Sequence, residues 1–489
     1  MLWARHEMTQ AETLVALHST MFSRTGQLYY DLNHYPFIVS PYMPLFYVAS
    51  VGLQRLGTPP LAAGRFLAAS ATLGIIALAW NLLGLCAFNR YSRWTGTLLV
   101  AITANLWAWG TVGQVDVPGV MFSLAALYQY ARYRKDGRPA TLAWAGLWAL
   151  MGLFCKQTMI VAAATIVLTL ALTHLRRAFW FALAVVGIAL SGALALNSFT
   201  DGRFFDNTVR ANINPLSVTK IRSQLEYLAL VGGSLMAIAA LGARRAWRDR
   251  EPLYVYLLVA AAVFALTAGI IGADLNYQVE LLLALGLCAA WTLDRLEFFP
   301  RLFRGDRSAV TLLQLPLLLY VVVNLGIATK TVAGRVMLEP VRRQEFATLR
   351  PLLEAARGPV ISLQLDPLLH ALGRIDVEGE LYAAPRYRAP WEDGRLPPGS
   401  IAVGKDGLSD PEPIRRDLED GKIPLVILYE DIFGPQLLTA AIEDLPTLPK
   451  AHLDVMRRRY RLVRRVPGSL LDGDFLYTPI ESAAAETSK

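Results

Sequence analysis

Along the first two thirds of the chain, apolar residues come in runs. The runs 66–88, 95–110, 117–131, 140–155, 157–174, 178–197, 226–243, 252–272, 278–294 and 309–329 approach the roughly 20 residues that cross about 30 Å of hydrocarbon as a helix. The shorter ones draw on flanking residues to complete a crossing. A further run, PYMPLFYVASVGLQRL (41–56), holds two prolines, two tyrosines and Phe46. That composition suits a helix lying at headgroup level rather than one that spans. Beyond residue 330 the pattern changes. Residues 341–357 and 414–422 have helical period, VISLQL (360–365) and PLVILYE (424–430) read as buried strands, and 382–413 is Pro- and Gly-rich loop.

Composition sharpens the division. The 489 residues are 54% hydrophobic and 18% charged, with mean hydropathy +0.38. Residues 1–330 carry 41 charged side chains and residues 331–489 carry 45, so only the second part has the charge density of a soluble domain. A single soluble enzyme, a disordered chain and a disulfide scaffold are excluded. Cys86, Cys155 and Cys288 all lie in apolar stretches and predict no crosslink.

The net charge of +8 is explained by position. Arg90 and Arg93; Arg132, Arg134, Lys135 and Arg138; Arg176 and Arg177; Arg244, Arg245, Arg248 and Arg250; and Arg295, Arg301, Arg304 and Arg307 place sixteen basic residues in five alternate short loops. The intervening loops hold only Lys156, Arg203, Arg210, Lys220 and Arg222. By the positive-inside rule the first set is cytoplasmic and the second is outside. The alternation requires that 41–56 does not span. The predicted fold class is an α-helical polytopic membrane protein of about ten spans, with juxtamembrane helices in the first outer loop and a small C-terminal α/β extracytoplasmic domain. Its divisions are an outer segment 1–65, a transmembrane bundle 66–330 and a soluble domain 331–489. Residues 1–65 are then outside although no apolar run precedes residue 37. This pattern is expected if a first span lies upstream of Met1, or if later spans carry the N-terminus across.

Polar residues at the outer membrane boundary are costly, which makes them the candidate chemistry. Four clusters share that face. The segment 5–47 begins with Glu7 and Glu12 on a helical stretch, turns at Gly26 and continues through a Tyr/Pro-rich run that includes Asp31. Its bland reading is an amphipathic surface helix with solvated acids. In GQVDVPG (113–119), Asp116 is either a helix N-cap or a functional acid. In FCKQT (154–158), Lys156 is either a snorkelling lysine or a cation for phosphate, forming a basic pocket with Arg203, Arg210 and Lys220. In GADLNYQVE (272–280), Asp274, Asn276, Tyr277 and Glu280 open a span, with Glu280 expected at the interface or the helix top. There is no Walker loop, GxGxxG, HExxH or Cys/His metal spacing, and no DxD pair in the outer loops. No cofactor is expected, and a divalent metal has no motif to hold it. The arginine run 457–465 reads as a strand or helix at phosphate-bearing headgroups or as a solvated face, not as a nucleic-acid site.

Taken in order, these motifs resemble the GT-C type integral-membrane glycosyltransferases, which include dolichyl-phosphate-mannose protein mannosyltransferases and bacterial aminoarabinose transferases. The matching residues are Glu12 (or Glu7), Gly26-Gln27-Leu28-Tyr29, Tyr42-Met43-Pro44-Leu45-Phe46-Tyr47, Arg65, the Asp116 loop, the Lys156 step and Gly272 to Glu280. The family's acidic motif is more usually Asp-Glu. A lone Glu here leaves the acid open among Glu7, Glu12 and Asp31.

The resemblance implies a polyprenyl-phosphate sugar donor, a glycan, lipid or protein acceptor, and a multi-pass protein of the bacterial inner (plasma) membrane surrounded by membrane lipids. It implies Glu12 as base with Asp116 orienting the acceptor, Lys156, Arg203, Arg210 and Lys220 at the donor phosphate, and inversion at the anomeric carbon. Tyr29, Tyr42, Asn276, Tyr277 and Glu280 are the expected sugar or acceptor contacts. A transporter or flippase, and a catalytically inactive envelope-assembly scaffold, are the competing readings. Against a transporter, the sequence shows neither inverted repeats nor helices broken at mid-membrane.

Overall fold

The structure is a computed structural model. It describes residues 8–32, 39–86, 88–214, 216–270, 272–303, 307–356, 358–362, 382–383, 400–401, 412–428, 431–433, 450–466 and 474–480. Glu7 lies outside the described residues.

Every apolar run of the sequence is helical. α1 (Gln10–Thr25) and α2 (Pro44–Arg55) form the N-terminal pair. The bundle follows: α3 (Pro60–Leu85), α4 (Arg90–Ala101), α5 (Ala104–Gly110), α6 (Asp116–Asp136), α7 (Pro139–Cys155), α8 (Val161–Ala171) and α9 (Leu175–Phe199). After the short α10 (Arg203–Thr208) come α11 (Val218–Asp249), α12 (Pro252–Thr267), α13 (Val279–Arg295), α14 (Phe298–Phe303) and α15 (Arg307–Ala355). α2 has 12 residues and rises about 18 Å at 1.5 Å each, too short to cross. Pro44 at its first position and the absence of a side-chain cap fit a helix that starts where the chain meets the boundary.

Among the described residues four helices are long and apolar enough to cross a membrane: α3, α9, α11 and the stretch Leu313–Leu353 of α15. α7, α8 and α12 are shorter apolar helices. The other runs expected to span form helices below that length or hydropathy, so length and composition alone single out four of the ten. The run 95–110 is broken between α4 and α5, where the Thr103 hydroxyl meets Leu99 O and Tyr320 Oη instead of extending a helix. α9 shows what surrounds the bundle. Its mean hydropathy is 2.2 yet only 11% of its apolar window is buried, so its outer face is suited to lipid and not to water. The chain is a multi-pass membrane protein.

α15 has 49 residues and extends for about 74 Å. Its far end carries the C-terminal domain, so the helical stretch predicted from residue 341 is, as far as Ala355, the continuation of the last span. That domain contains the sheet β3 (Tyr382–Ala383), β2 (Val360–Ser362), β5 (Leu425–Leu428), β7 (Asp474–Pro479) and β6 (Tyr460–Val466), in that order. The first three run parallel, and β7 and β6 are antiparallel additions. Helices α16 (Glu412–Glu419) and α17 (Lys450–Arg459) pack on it, and the arginine run 457–465 is divided between α17 and β6. Most of 363–411 lies outside the described residues.

The C-terminal domain is tied to the membrane part in two places, one through the sheet and one through a separate strand pair. Val360, Leu425, Ile427, Val466 and Leu476 share one core with Leu349 and Leu353 of α15 and with Leu14, Leu17 and Met21 of α1. The strand β1 (Leu216–Ser217) pairs with β4 (Ser400–Ile401). Between α11 and α12 an apolar cavity of about 820 Å³ runs along the bundle, floored by Leu281 and Leu285 of α13 and reaching from Ile221 to Trp247 and Arg250.

Candidate active site

The site forms where three chain segments meet above the bundle. Thr9 caps α1 by accepting from Glu12 N, and Gly26 ends the helix in the left-handed conformation at φ 72°. Val15 of α1, Phe46 and Tyr47 of α2, Val115 and Phe204 form one apolar cluster, which seats α1 and α10 on the segment 111–115 that enters α6. That segment crosses α3 at bare backbone. A Cβ on Gly113 would stand 2.9 Å from Gly64 Cα, a distance side-chain carbons do not adopt.

Two buried ion pairs flank 111–115. On one side Arg65 grips Glu12 with two hydrogen bonds, Nη2 to Oε1 at 2.6 Å and Nε to Oε2 at 3.0 Å. Gly113 N donates to Oε2 at 3.2 Å and Met8 N to Oε1 at 2.5 Å. Both side chains are fully buried. Four donors fill the carboxylate's acceptor sites, so Glu12 must release one before it can take a proton.

On the other side Lys156 Nζ donates to Asp116 Oδ1 at 2.6 Å and Asn276 Nδ2 to Oδ2 at 3.0 Å. The pair is buried. One bond on each oxygen leaves each a further lone pair. Asp116 is not the N-cap of α6; Val115 takes that position without a side-chain bond, and the carboxylate faces the pair. Nor does Lys156 snorkel. Its ammonium lies 3.8 Å from the Tyr277 ring centroid and 5.8 Å from that of Tyr42. Burial by itself pulls the ammonium down, but the Asp116 carboxylate, with Tyr277 and Tyr42, outweighs it and holds Lys156 above its ordinary value.

The structure thus joins Asp116, Lys156, Asn276, Tyr277 and Tyr42, drawn from all four sequence clusters. Other expected residues fall elsewhere. Tyr29 offers no stacking face: it is 3% exposed, its ring meets Phe204 edge-on at 5.1 Å and its hydroxyl donates to Tyr42 O at 3.1 Å. Glu280 stands at the top of α13, in its first turn, as one of the two expected placements had it. It is buried among α6, α12 and α13, accepting from Ser123 Oγ and, at 2.8 Å, from Tyr256 Oη. Four residues after Asn276, it lies one helical turn below the site.

Arg210 is 52% exposed and pairs with Asp206 at 2.7 Å, and Arg203 is half-buried on α10. Lys220 is half-buried in the first turn of α11, where its backbone N–H meets the Ser217 cap. No hydrogen bond joins Arg203 or Arg210 to Lys156. The backbone of their segment does reach the site, since Gln157 Nε2 donates to Thr208 O and to Pro41 O, both at 3.1 Å. Asp31 is half-buried beside Tyr30, whose carbonyl accepts from Asn207.

Sequence reasoning passed over several polar groups. Both amide atoms of Gln114, Gln157 Oε1 and Asn276 Oδ1 are buried and meet no partner among the described residues. Each such group costs about 1–3 kcal/mol unless a ligand answers it. Gln114 and Gln157 were inside quoted motifs, each next to or near a charged residue that drew the attention. Arg335 was also missed; its Nη1 donates to Thr111 Oγ1 at 2.8 Å and to Ala108 O. Among the described residues no group of three or more His, Cys, Asp or Glu could hold a metal ion.

Residues 41–199 match the family model of dolichyl-phosphate-mannose-protein mannosyltransferases. Two crystal structures of ArnT from Cupriavidus metallidurans share the fold. The apo form superposes with a TM-score of 0.57 at 14% identity, covering 98% of this chain and 94% of that one. The form bound to undecaprenyl phosphate superposes with 0.59 at 13% identity, covering 98% and 95%. No curated protein sequence matches. The resemblance to GT-C type integral-membrane glycosyltransferases is borne out by the family model and by the fold together.

Proposed function

We propose that this protein is a membrane glycosyltransferase. It moves a sugar from a polyprenyl-phosphate donor to a hydroxyl of a glycan, lipid or protein on the extracytoplasmic side of the inner membrane, where the outer domain also lies. In this reading the expected ten crossings are completed by the shorter helices with their flanking residues. The observation that carries the reading is the open Asp116–Lys156–Asn276 cluster at the head of α6, with unanswered amides beside it.

Asp116 takes the proton of the acceptor hydroxyl, because it keeps lone pairs that Glu12 lacks. The acceptor oxygen attacks the anomeric carbon as the bond from that carbon to the phosphate oxygen breaks, which inverts the centre and releases polyprenyl phosphate. Lys156 holds Asp116 ionised and in place. Arg203, Arg210 and Lys220 give the mouth a positive field toward the phosphate. The half-buried rings of Tyr42 and Tyr277 form the wall a sugar meets, and Gln114, Gln157 and Asn276 have the amide atoms to answer its hydroxyls. The isoprenoid chain needs an apolar seat open to lipid, for which the cavity between α11 and α12 is suited. The ArnT structure bound to undecaprenyl phosphate supports a lipid-phosphate ligand on this fold.

The test is reconstitution in vesicles with undecaprenyl phosphate carrying isotope-labelled sugar and a mixed pool of lipid and glycan acceptors. Label should enter the acceptor fraction as undecaprenyl phosphate appears. Counterflow of label across the vesicle without transfer would replace the enzyme by a transporter.

A further inference from the structure

We infer that Arg335 is the seat of the lipid phosphate, a role that rests on the proposed transfer and adds to it a residue beyond the apolar run that ends at 329. Its basis is the balance of charge around 111–115. Glu12 is cancelled by Arg65 and Asp116 by Lys156, both within 2.6 Å contacts and both out of solvent. Arg210, half exposed, pairs with Asp206. Arg335 is different. It is half-buried, Nη1 is fixed by Thr111 Oγ1 and Ala108 O, and no carboxylate among the described residues pairs with it.

Its electrostatic neighbours are Glu12, Arg65 and the exposed Asp274. Of these, Glu12 already belongs to Arg65. Asp274 acts on Arg335 from an exposed position without an ion pair, so among the described residues no carboxylate touches the guanidinium. Thr111, which holds it, stands two residues before Gly113, the donor to Glu12, and five before Asp116.

A guanidinium fixed through one nitrogen keeps the other edge of its fork for a second partner, and that fork matches phosphate oxygens. Burying a cation that no carboxylate touches is costly, and an arriving anion offsets that cost. The partner chemistry is a phosphate on a membrane lipid. When the anomeric bond breaks, negative charge grows on that phosphate. A fixed cation then stabilises the transition state more than the bound donor.

The experiment uses the full-length protein in nanodiscs of zwitterionic lipid, with binding followed by quenching of its own tryptophans. The probes are undecaprenyl phosphate, undecaprenol, phosphatidylglycerol and inorganic phosphate. Arg335→Gln keeps a polar side chain but no charge; Arg335→Lys keeps the charge. The inference expects Arg335→Gln to weaken undecaprenyl phosphate at least tenfold, Arg335→Lys to stay within about threefold, and undecaprenol to bind all forms alike.

Equal loss of undecaprenol would make Arg335 structural, and unchanged undecaprenyl phosphate binding in Arg335→Gln would overturn the role. Selective loss of phosphatidylglycerol alone would move the site to a bulk-lipid headgroup, and loss of inorganic phosphate alone to a soluble anion. The two proposals fail separately. Arg335-dependent binding without sugar transfer removes the transferase reading, whereas transfer with an unchanged donor KM in Arg335→Gln removes only the Arg335 role.

Discussion

The two ion pairs on either side of 111–115 are built from the same kinds of group and do different things. Glu12–Arg65 is closed: bidentate, fully buried, and completed by two backbone N–H groups. It binds α1, α3 and the 111–115 segment into one piece. Asp116–Lys156 is open: one bond per oxygen, two half-buried aromatic rings over the ammonium, and amides with nothing to bind. A buried charge does not by itself mark chemistry. What marks it is unfilled hydrogen-bonding capacity beside that charge.

The comparison breaks most sharply at Asp116. Asp116→Asn should lower transfer about 10³-fold per folded molecule, within the range for removal of a general base, while folding is retained. Labelled-sugar transfer normalised to folded protein measures it, and near-normal rates would hand the base to Glu12.

Glu12→Gln should act first on the fold. Leaving Arg65 buried without its anion costs about 3 kcal/mol, read as a fall in Tm, and activity should follow the folded fraction. A Glu12→Gln protein with wild-type Tm and no activity would reverse the roles of the pairs.

Gly113→Ala should cost about 1–3 kcal/mol, because the clash is with Gly64 backbone and cannot be relieved by a rotamer. It should disturb both pairs at once, so stability and transfer should fall together.

The smallest effect concerns pH. Lys156 is held above its ordinary value, so its contribution is complete below the unfolded-state value of about 10.4 and is lost only as pH rises through the higher folded-state value. Rates between pH 8 and 10 should show no fall traceable to Lys156. A fall there that Lys156→Arg abolishes would show that the pair is looser than its 2.6 Å contact implies.

Much of this was legible beforehand, and the exceptions have physical reasons. The apolar runs gave the helices because lipid-facing and packed helices alike need unbroken hydrophobic length. Pro44 and the aromatic run identified α2 as non-spanning. Asp116, Lys156 and Asn276 were visible singly because charge and amide groups are rare among such neighbours. Their meeting was not, since nothing in a sequence aligns the head of α6 with the end of α7 and a turn before α13.

Glu280 was legible as the top of α13, but its burial was not, because its partners Ser123 and Tyr256 lie on other helices. Arg335 had a signal that went unused. An arginine just past the last span, on the side the positive-inside rule leaves poor in basic residues, is an exception that needs a reason. Tyr29 was misjudged because an aromatic beside a glycine turn reads equally well as ligand wall or core.

Gly64 and Gly113 touch through main chain alone. Side chains normally act as cushions between packed segments, giving a few tenths of an ångström as they change rotamer. None intervenes here, so the distance from α3 to the root of Asp116 is set by covalent bond lengths and one van der Waals contact. Any tilt of α3 forced by a thinner or thicker bilayer is therefore transmitted undamped to the carboxylate, and the membrane's own thickness becomes a variable of the reaction.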